Sequence, residues 1–308
     1  MAKNRIISLD VVRAFCAIWI IAFWHFRDFF ESKSFNELVL VTLNGEYITS
    51  GVLSCFMFLS GFFLRKYSFY CIEDLRFFIR KRFWRFYLLL ILAALWMLLP
   101  KMQIVKLVCL LTGTSIFLND QPQTLWFFGD LIFFYALTPF ILWKSNNKRL
   151  PLIKSVILYF LIIVLYIQIG FNERVIMYMP FYLLGLLSNN NMVNKTHNIM
   201  TFCISNIILS ILLFFNAENH IFYQLIVPIE LLSIGYLIEK YTLNFSKLLS
   251  YISYSSMCAY LFHKQIMGFF KYHICEIRGL GGVIFIICLF VSCYYLQLLY
   301  DKYTQRFS

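Results

Sequence analysis

Long apolar runs alternate with short polar clusters along the chain, and the runs are too long for the core helices of a water-soluble domain. A helix needs about 20 apolar residues to cross the hydrocarbon region of a bilayer. Runs at 9–30, 48–66, 83–99, 124–143, 152–170, 174–189, 199–216, 220–238, 249–270 and 281–300 therefore predict about ten transmembrane helices. The stretch 104–118 is shorter, contains Gly and Thr, and predicts a re-entrant or interfacial piece. Cytoplasmic loops hold most of the positive charge. With the N-terminus inside, Lys3, Arg5, Arg65, Lys66, the basic run 76–85, Lys302 and Arg306 share one side, so both termini are expected to be cytoplasmic. The expected fold is an all-α polytopic membrane protein, a single domain over 1–308. Its central polar cavity would be lined by the first helix, the Trp126 helix and the His263 helix.

Composition agrees with that medium. With 61% hydrophobic and 14% charged residues and a mean hydropathy of +0.74, the chain has too little polar surface to cover a soluble globule. The net charge of +12 then reads as positive-inside bias, with no nucleic-acid partner implied. The first apolar run is interrupted by Asp10 and Arg13 and lacks a small-residue cleavage pattern, so no signal peptide is expected. Nine Cys without paired spacing read as small lipid-compatible fillers. Five His scattered over different segments give no metal-ligand spacing, so no metal site is expected.

Charged groups inside apolar spans are expensive and usually functional. In "LDVVRAFCAIWIIAFWHF" (9–26), Asp10 and Arg13 are three apart on one helix face, where they can pair or simply anchor the helix at the interface. The twelve residues from Arg13 to His25 rise about 18 Å, which puts His25 toward the outer half of the membrane. There it is either a functional imidazole or part of a polar belt with Trp24, Arg27 and Asp28. The segment 73–87, "EDLRFFIRKRFWRFY", predicts a helix with Arg76 and Arg80, and Arg82 and Arg85, one turn apart. Such guanidinium groups can hold an anionic ligand bidentately, or form a collar on anionic headgroups.

These residues carry a family resemblance. The first-helix stretch, "FLSGFFL" (58–64), "RKRFWRFY" (80–87), "LWFFGDLIFFYALTP" (125–139), "PFYLLGLL" (180–187) and "SYSSMCAYLFHKQI" (253–266) follow the order seen in the bacterial acyltransferase-3 family, which this chain resembles over nearly its whole length. The resemblance implies an enzyme of the bacterial cell membrane. It would move an acyl group, usually acetyl, from cytoplasmic acyl-coenzyme A to a hydroxyl of a surface or lipid-linked glycan outside. Acyl-coenzyme A would be a co-substrate, with no permanently bound cofactor. Position by position, it implies catalytic roles for His25 and Arg13, with Asp10 beside them. Arg82 and Arg85, supported by Arg76 and Arg80, would receive the nucleotide phosphates, and Ser60 and Gly61 match a Ser-Gly-Phe motif. His263, Trp126, Tyr135 and Asp130 would line the substrate site, Asp130 standing near a position where many members carry Glu. Eleven residues separate Arg13 from His25, one more than is usual in that family, and a local π-bulge would restore the register.

The reaction suits this layout on physical grounds. A basic cytoplasmic cluster can hold the phosphates while the long pantetheine arm enters the helix bundle. An imidazole can take the acceptor hydroxyl's proton as the oxygen attacks the thioester, or can carry the acyl group covalently. The sequence leaves both routes open. Two other classes use similar residues: a transporter or flippase of a lipid-linked glycan or small anion, and a polymerase or ligase of surface glycans. Acceptor choice is expected in the outer segments 31–47, 101–123 and 271–280. No oligomeric state is implied.

Overall fold

The computed structural model of the chain describes residues 6–25, 45–118, 121–122, 124–145, 149–188, 203–209, 211, 219–241, 243–273 and 280–304, without the side chains at 83–85, 243–244, 246–247, 272–273 and 280. Lys3, Arg5, Arg27, Asp28, Arg306 and the outer segments 31–44 and 274–279 lie outside these residues. Every regular element among the described residues is a helix, and the only β pairing among them is an isolated bridge between Phe69 and Trp143. In chain order the elements are α1 (Ile7–Ile18), a π-helix (Trp19–His25), α2 (Gly45–Leu64), α3 (Ile72–Leu98), α4 (Ile104–Thr112), α5 (Trp126–Leu142), α6 (Arg149–Ile169), α7 (Glu173–Leu187), α8 (His220–Tyr241), α9 (Leu243–His273) and α10 (Leu280–Thr304). Residues 203–209 are also helical.

Five stretches among the described residues are long and apolar enough to cross a membrane: Ile7–His25, Gly45–Leu64, Arg149–Ile169, His220–Tyr241 and Gly281–Thr304. A sixth is reached if Ile72–Arg82 and Phe86–Lys101, bent by 49°, count as one span. Only 17% of the span in α6 is buried against protein, and Val156, Phe160 and Ile167 on it are exposed. An apolar surface of that extent is stable against lipid and not against water. The expected re-entrant piece is α4, whose nine residues rise about 14 Å and cannot cross a bilayer. It ends at Gly113, held at φ +74°, and a 3₁₀ turn (Thr114–Phe117) follows.

The chain divides into two compact units, residues 1–56 with 189–299, and residues 57–188 with 300–308. The boundary falls inside α2 and near the end of α10.

In the first unit α1 packs against α8 and α9. Its face is built of small and β-branched residues, with Val11, Val12, Ala14, Cys16 and Ala17 all fully buried. Val11 and Ala14 meet Leu249, with Ile238 and Ile252 around them. Small residues let helix backbones approach closely, which is how helices gain contact where lipid supplies no hydrophobic drive. At Gly235 of α8, a Cβ would stand 2.5 Å from the Ser8 carbonyl oxygen of α1, so the close approach requires glycine.

In the second unit the later half of α2 packs against α7 through a reciprocal glycine contact. A Cβ on Gly61 would collide with the Tyr182 carbonyl, and a Cβ on Gly185 with the Phe58 carbonyl. Arg65 then lies over the Phe62 ring at 3.5 Å and donates to the Ser188 carbonyl at 3.3 Å, closing that end of the pair. Overpacking a filled contact costs about 1–3 kcal/mol. Gly185→Val should therefore lower the unfolding temperature of the detergent-solubilised protein, whereas Leu184→Val, at a 52% exposed position one residue away, should not. Thermal unfolding of both purified variants checks this.

Candidate active site

The first helix changes character halfway along. Residues Trp19–His25 form a π-helix, with i→i+5 hydrogen bonding in place of i→i+4. The wider turn accommodates one more residue, so the eleven residues between Arg13 and His25 fit without turning His25 away. Bulky side chains hold the π turn open. Trp19 and Phe23 lie 5.6 Å apart with nearly parallel rings, and Trp19 Nε1 donates to Thr49 Oγ1 of α2 at 2.9 Å. Thr49 in turn donates to the Gly45 carbonyl at 2.6 Å.

At the end of this turn His25 meets His263 of α9. Their rings are 8% and 0% exposed, and His25 Nδ1 lies 2.7 Å from His263 Nε2. The ring centroids are 4.8 Å apart with planes at 22°. That separation is close to the N···N distance plus two ring radii, so the rings meet edge to edge through a hydrogen bond. A face-to-face stack would hold the nitrogens further apart. His263 Nδ1 sits 2.8 Å from the Tyr260 carbonyl and 3.1 Å from the Ala259 carbonyl, both in the preceding turn of α9. The edge of the Tyr260 ring packs against the imidazole.

Nearer the start of α1, Ser253 Oγ of α9 donates to Asp10 Oδ1 at 3.0 Å, and both residues are buried. Ser256 donates to the Ser253 carbonyl at 2.7 Å, which tightens α9 there. The Ser8 backbone N–H, one of the donors a helix start leaves unpaired, is met by Glu239 Oε2 of α8 at 3.0 Å. Arg13 is half-buried. Local sequence does not mark Ser253 or Glu239 as partners of α1. A carboxylate at the end of an apolar span was the available signal for Glu239, and Ser253 lay within the quoted 253–266 motif.

The other site residues belong to the second unit. Arg82 is half-buried, donating from Nε to Tyr67 Oη at 3.0 Å and from Nη2 to the Phe63 carbonyl at 3.2 Å. Two of its five N–H groups are thereby spent on the α2–α3 junction. Arg76 and Arg80 are exposed on α3, and Ser60 is half-buried on α2. The side chain of Arg85 lies outside the described set. Gly61 serves the helix contact with α7.

On α5, Trp126 stacks on Tyr178 at 5.9 Å, and the Arg174 guanidinium lies 4.5 Å from the Trp126 ring centre. Asp130 is fully buried, with both carboxyl oxygens lacking a hydrogen-bond partner among the described residues and with Arg174 and Gln121 as polar neighbours. Gln121 donates to the Ser115 carbonyl at 3.0 Å. Tyr135 is buried among Phe86 and Tyr182, and Tyr182 shares a short hydrogen bond with Thr138. Tyr178, Arg174 and Gln121 gain their place here only through the fold. Among the described residues no three His, Cys, Asp or Glu side chains converge as metal ligands do.

The described residues show membrane-type helices with a paired imidazole buried at the end of the first, and the comparison with known families gives the class. Residues 6–299 match the acyltransferase-3 family, an acyltransferase domain, and the chain belongs to that family. Neither the curated proteins nor the solved structures hold a match.

Contacting polar pairs of this kind couple by about 0.5–3 kcal/mol. In a double-mutant cycle, Ser253→Ala combined with Asp10→Asn should show a coupling energy in that range. Asp10→Asn with Leu248→Ala, at an exposed position of α9, should be additive. Equilibrium unfolding in mixed detergent gives both numbers.

Proposed function

We propose that this acyltransferase is a multi-pass O-acyltransferase of the bacterial cell membrane. It has about ten spans with both termini cytoplasmic, and forms one functional domain over 1–308. It transfers an acyl group, acetyl as the leading choice, from cytoplasmic acyl-coenzyme A to a hydroxyl of an extracytoplasmic glycan, either surface-bound or lipid-linked. The observation that carries the reading is the buried His25–His263 pair in a chain of this family. An imidazole is the side chain best suited to accept a hydroxyl proton near neutral pH.

In the reaction the acceptor oxygen attacks the thioester carbonyl while its proton passes to His25. The new C–O bond forms, the C–S bond breaks, and the proton returns to the coenzyme A thiolate. In the covalent variant His25 itself takes the acyl group first. Arg82 and Arg85, with the exposed Arg76 and Arg80 nearby in sequence, would hold the phosphates. Arg13 and Asp10 would support the donor side of helix one, and Trp126, Tyr135 and Asp130 the acceptor. An indole offers a flat apolar face to a sugar ring, and a carboxyl accepts from its hydroxyls.

The reading is tested by offering acetyl-coenzyme A to purified protein in liposomes and following free coenzyme A with and without a crude glycan fraction. Acceptor-dependent release supports transfer. A transporter or flippase gives no such release. His25→Ala should retain membrane abundance while turnover falls at least about a hundredfold, the low end for loss of a general base. Wild-type turnover in that variant would remove His25 from the mechanism.

The basic segment has its own test. Arg85→Ala should raise the apparent donor KM more than it lowers kcat, because a phosphate ligand contributes to ground-state binding. Arg85→Lys should recover only part of the affinity, since an ammonium lacks the planar two-donor fork. Tyr67→Phe, which removes one of the two internal partners of Arg82 and leaves the Phe63 carbonyl, should leave donor KM within about twofold of wild type by the same reading of KM. Unchanged donor affinity in Arg85→Ala and in Arg82→Lys would move the phosphate site elsewhere on α3.

A further inference from the structure

We infer that His263 is a positioning residue. It fixes His25 as the Nδ1–H tautomer, so that the lone pair which receives the acceptor's proton is always on His25 Nε2. The inference rests on the proposed role of His25 and adds the atom at which that role is performed.

A backbone carbonyl only accepts hydrogen bonds, and His263 Nδ1 faces two of them, Tyr260 at 2.8 Å and Ala259 at 3.1 Å. Nδ1 of His263 must therefore carry a proton. A neutral imidazole has one N–H, so His263 Nε2 presents a lone pair, directed at His25 Nδ1 at 2.7 Å. His25 Nδ1 can satisfy that contact only as the donor. Its own single proton in the neutral state is thereby committed, and its basic nitrogen is Nε2, on the far side of the ring. The opposite assignment would press two lone pairs together at 2.7 Å in a site where both rings are buried.

The arrangement also sets the fate of the proton. When His25 Nε2 takes the hydroxyl proton, the ring becomes an imidazolium whose Nδ1–H still points at His263 Nε2. That hydrogen bond becomes charge-assisted and stronger as the charge develops. The proton has no onward route through His263, because Nδ1 is already occupied and faces carbonyls. Recovery of that proton by the coenzyme A thiolate balances the protons within one turnover. His263 thus acts through His25 by orientation, and touches neither the thioester nor the hydroxyl in this scheme.

The discriminating experiment compares two near-isosteric replacements. His263→Gln puts an amide oxygen where Nε2 stood and can accept from His25 Nδ1–H, while His263→Leu cannot. The position is 0% exposed, so a merely structural role favours Leu over Gln in abundance and in activity alike. Positioning requires the reverse in kcat. His263→Leu should lower kcat at least about tenfold with donor and acceptor KM within about twofold, and His263→Gln should recover most of that loss, since a wrongly oriented or wrongly tautomeric imidazole loses turnover more than binding.

The second readout is the ¹⁵N spectrum of histidine-labelled protein in liposomes, with the His25 signals assigned by their disappearance in His25→Ala. Wild type and His263→Gln should show one protonated Nδ1 and one unprotonated Nε2 for His25, and His263→Leu should show loss of that single pattern. Equal kcat in the Leu and Gln variants, or a protonated Nε2 on neutral His25 in wild type, would overturn the proposal. The underlying reading fails separately, through wild-type turnover in His25→Ala. An inactive His25→Ala together with a fully active His263→Leu would remove the positioning role alone.

Discussion

Hydrocarbon offers no partner to a hydrogen-bonding group, so the polar atoms that α1 carries inward must be met by other helices of the same chain. Three such meetings run along its length: the Ser8 N–H with Glu239 of α8, Asp10 with Ser253 of α9, and His25 with His263 of α9. The apolar contacts of Val11 and Ala14 with Leu249 supply area, but area alone tolerates small slides and rotations. Hydrogen bonds do not, because they weaken steeply with distance and angle. The depth and rotation of α1 against α8 and α9 follow from these pairs, and so does the position of the imidazole at its end.

The π-helix belongs to the same constraint. Asp10 and His25 both find partners on α9, and they are fifteen residues apart. On a regular helix that interval ends about 60° past a whole number of turns, enough to aim one of the two side chains away. The wider π turn over Trp19–His25 absorbs about one residue's rotation, roughly 100°, so that the interval ends about 40° short of a whole number of turns instead. Such turns are costly in backbone geometry, and here the Trp19–Thr49 hydrogen bond and the Trp19–Phe23 ring contact are placed where the turn has to be held.

The second unit is organised around different physics. The α2–α7 contact is a backbone-to-backbone approach that only Gly61 and Gly185 permit. Tyr67 and the Phe63 carbonyl then hold Arg82 at the α2–α3 junction, so its remaining donors start from a fixed base. Asp130 is the exception to the rule of satisfied polar atoms. A carboxyl enclosed with no hydrogen-bond partner among the described residues costs stability, and such a cost is tolerated where a group has work to do. Its polar neighbours are Gln121 and Arg174, and the Arg174 guanidinium lies over the Trp126 ring one turn before Asp130 on α5.

The sequence by itself determined the medium, the helical class and the family, because these depend on run length, composition and local order. Apolar runs near 20 residues admit only membrane helices, and the ordered motifs from 9–26 to 253–266 carried the family membership that residues 6–299 bear out. It also marked His25 as an ionisable group inside an apolar run, and the resemblance, set against the eleven residues after Arg13, pointed to a π turn. What only the tertiary structure decided is which side chains meet. His263, at 238 residues' remove, lies against His25, and Ser253 against Asp10, although each had other polar residues closer in sequence. Spacing along a helix gives the face a residue occupies, while its partner is set by how other helices pack there. That packing is fixed by close approaches such as Gly235 on Ser8, which leave no signature in local sequence beyond a glycine inside an apolar run.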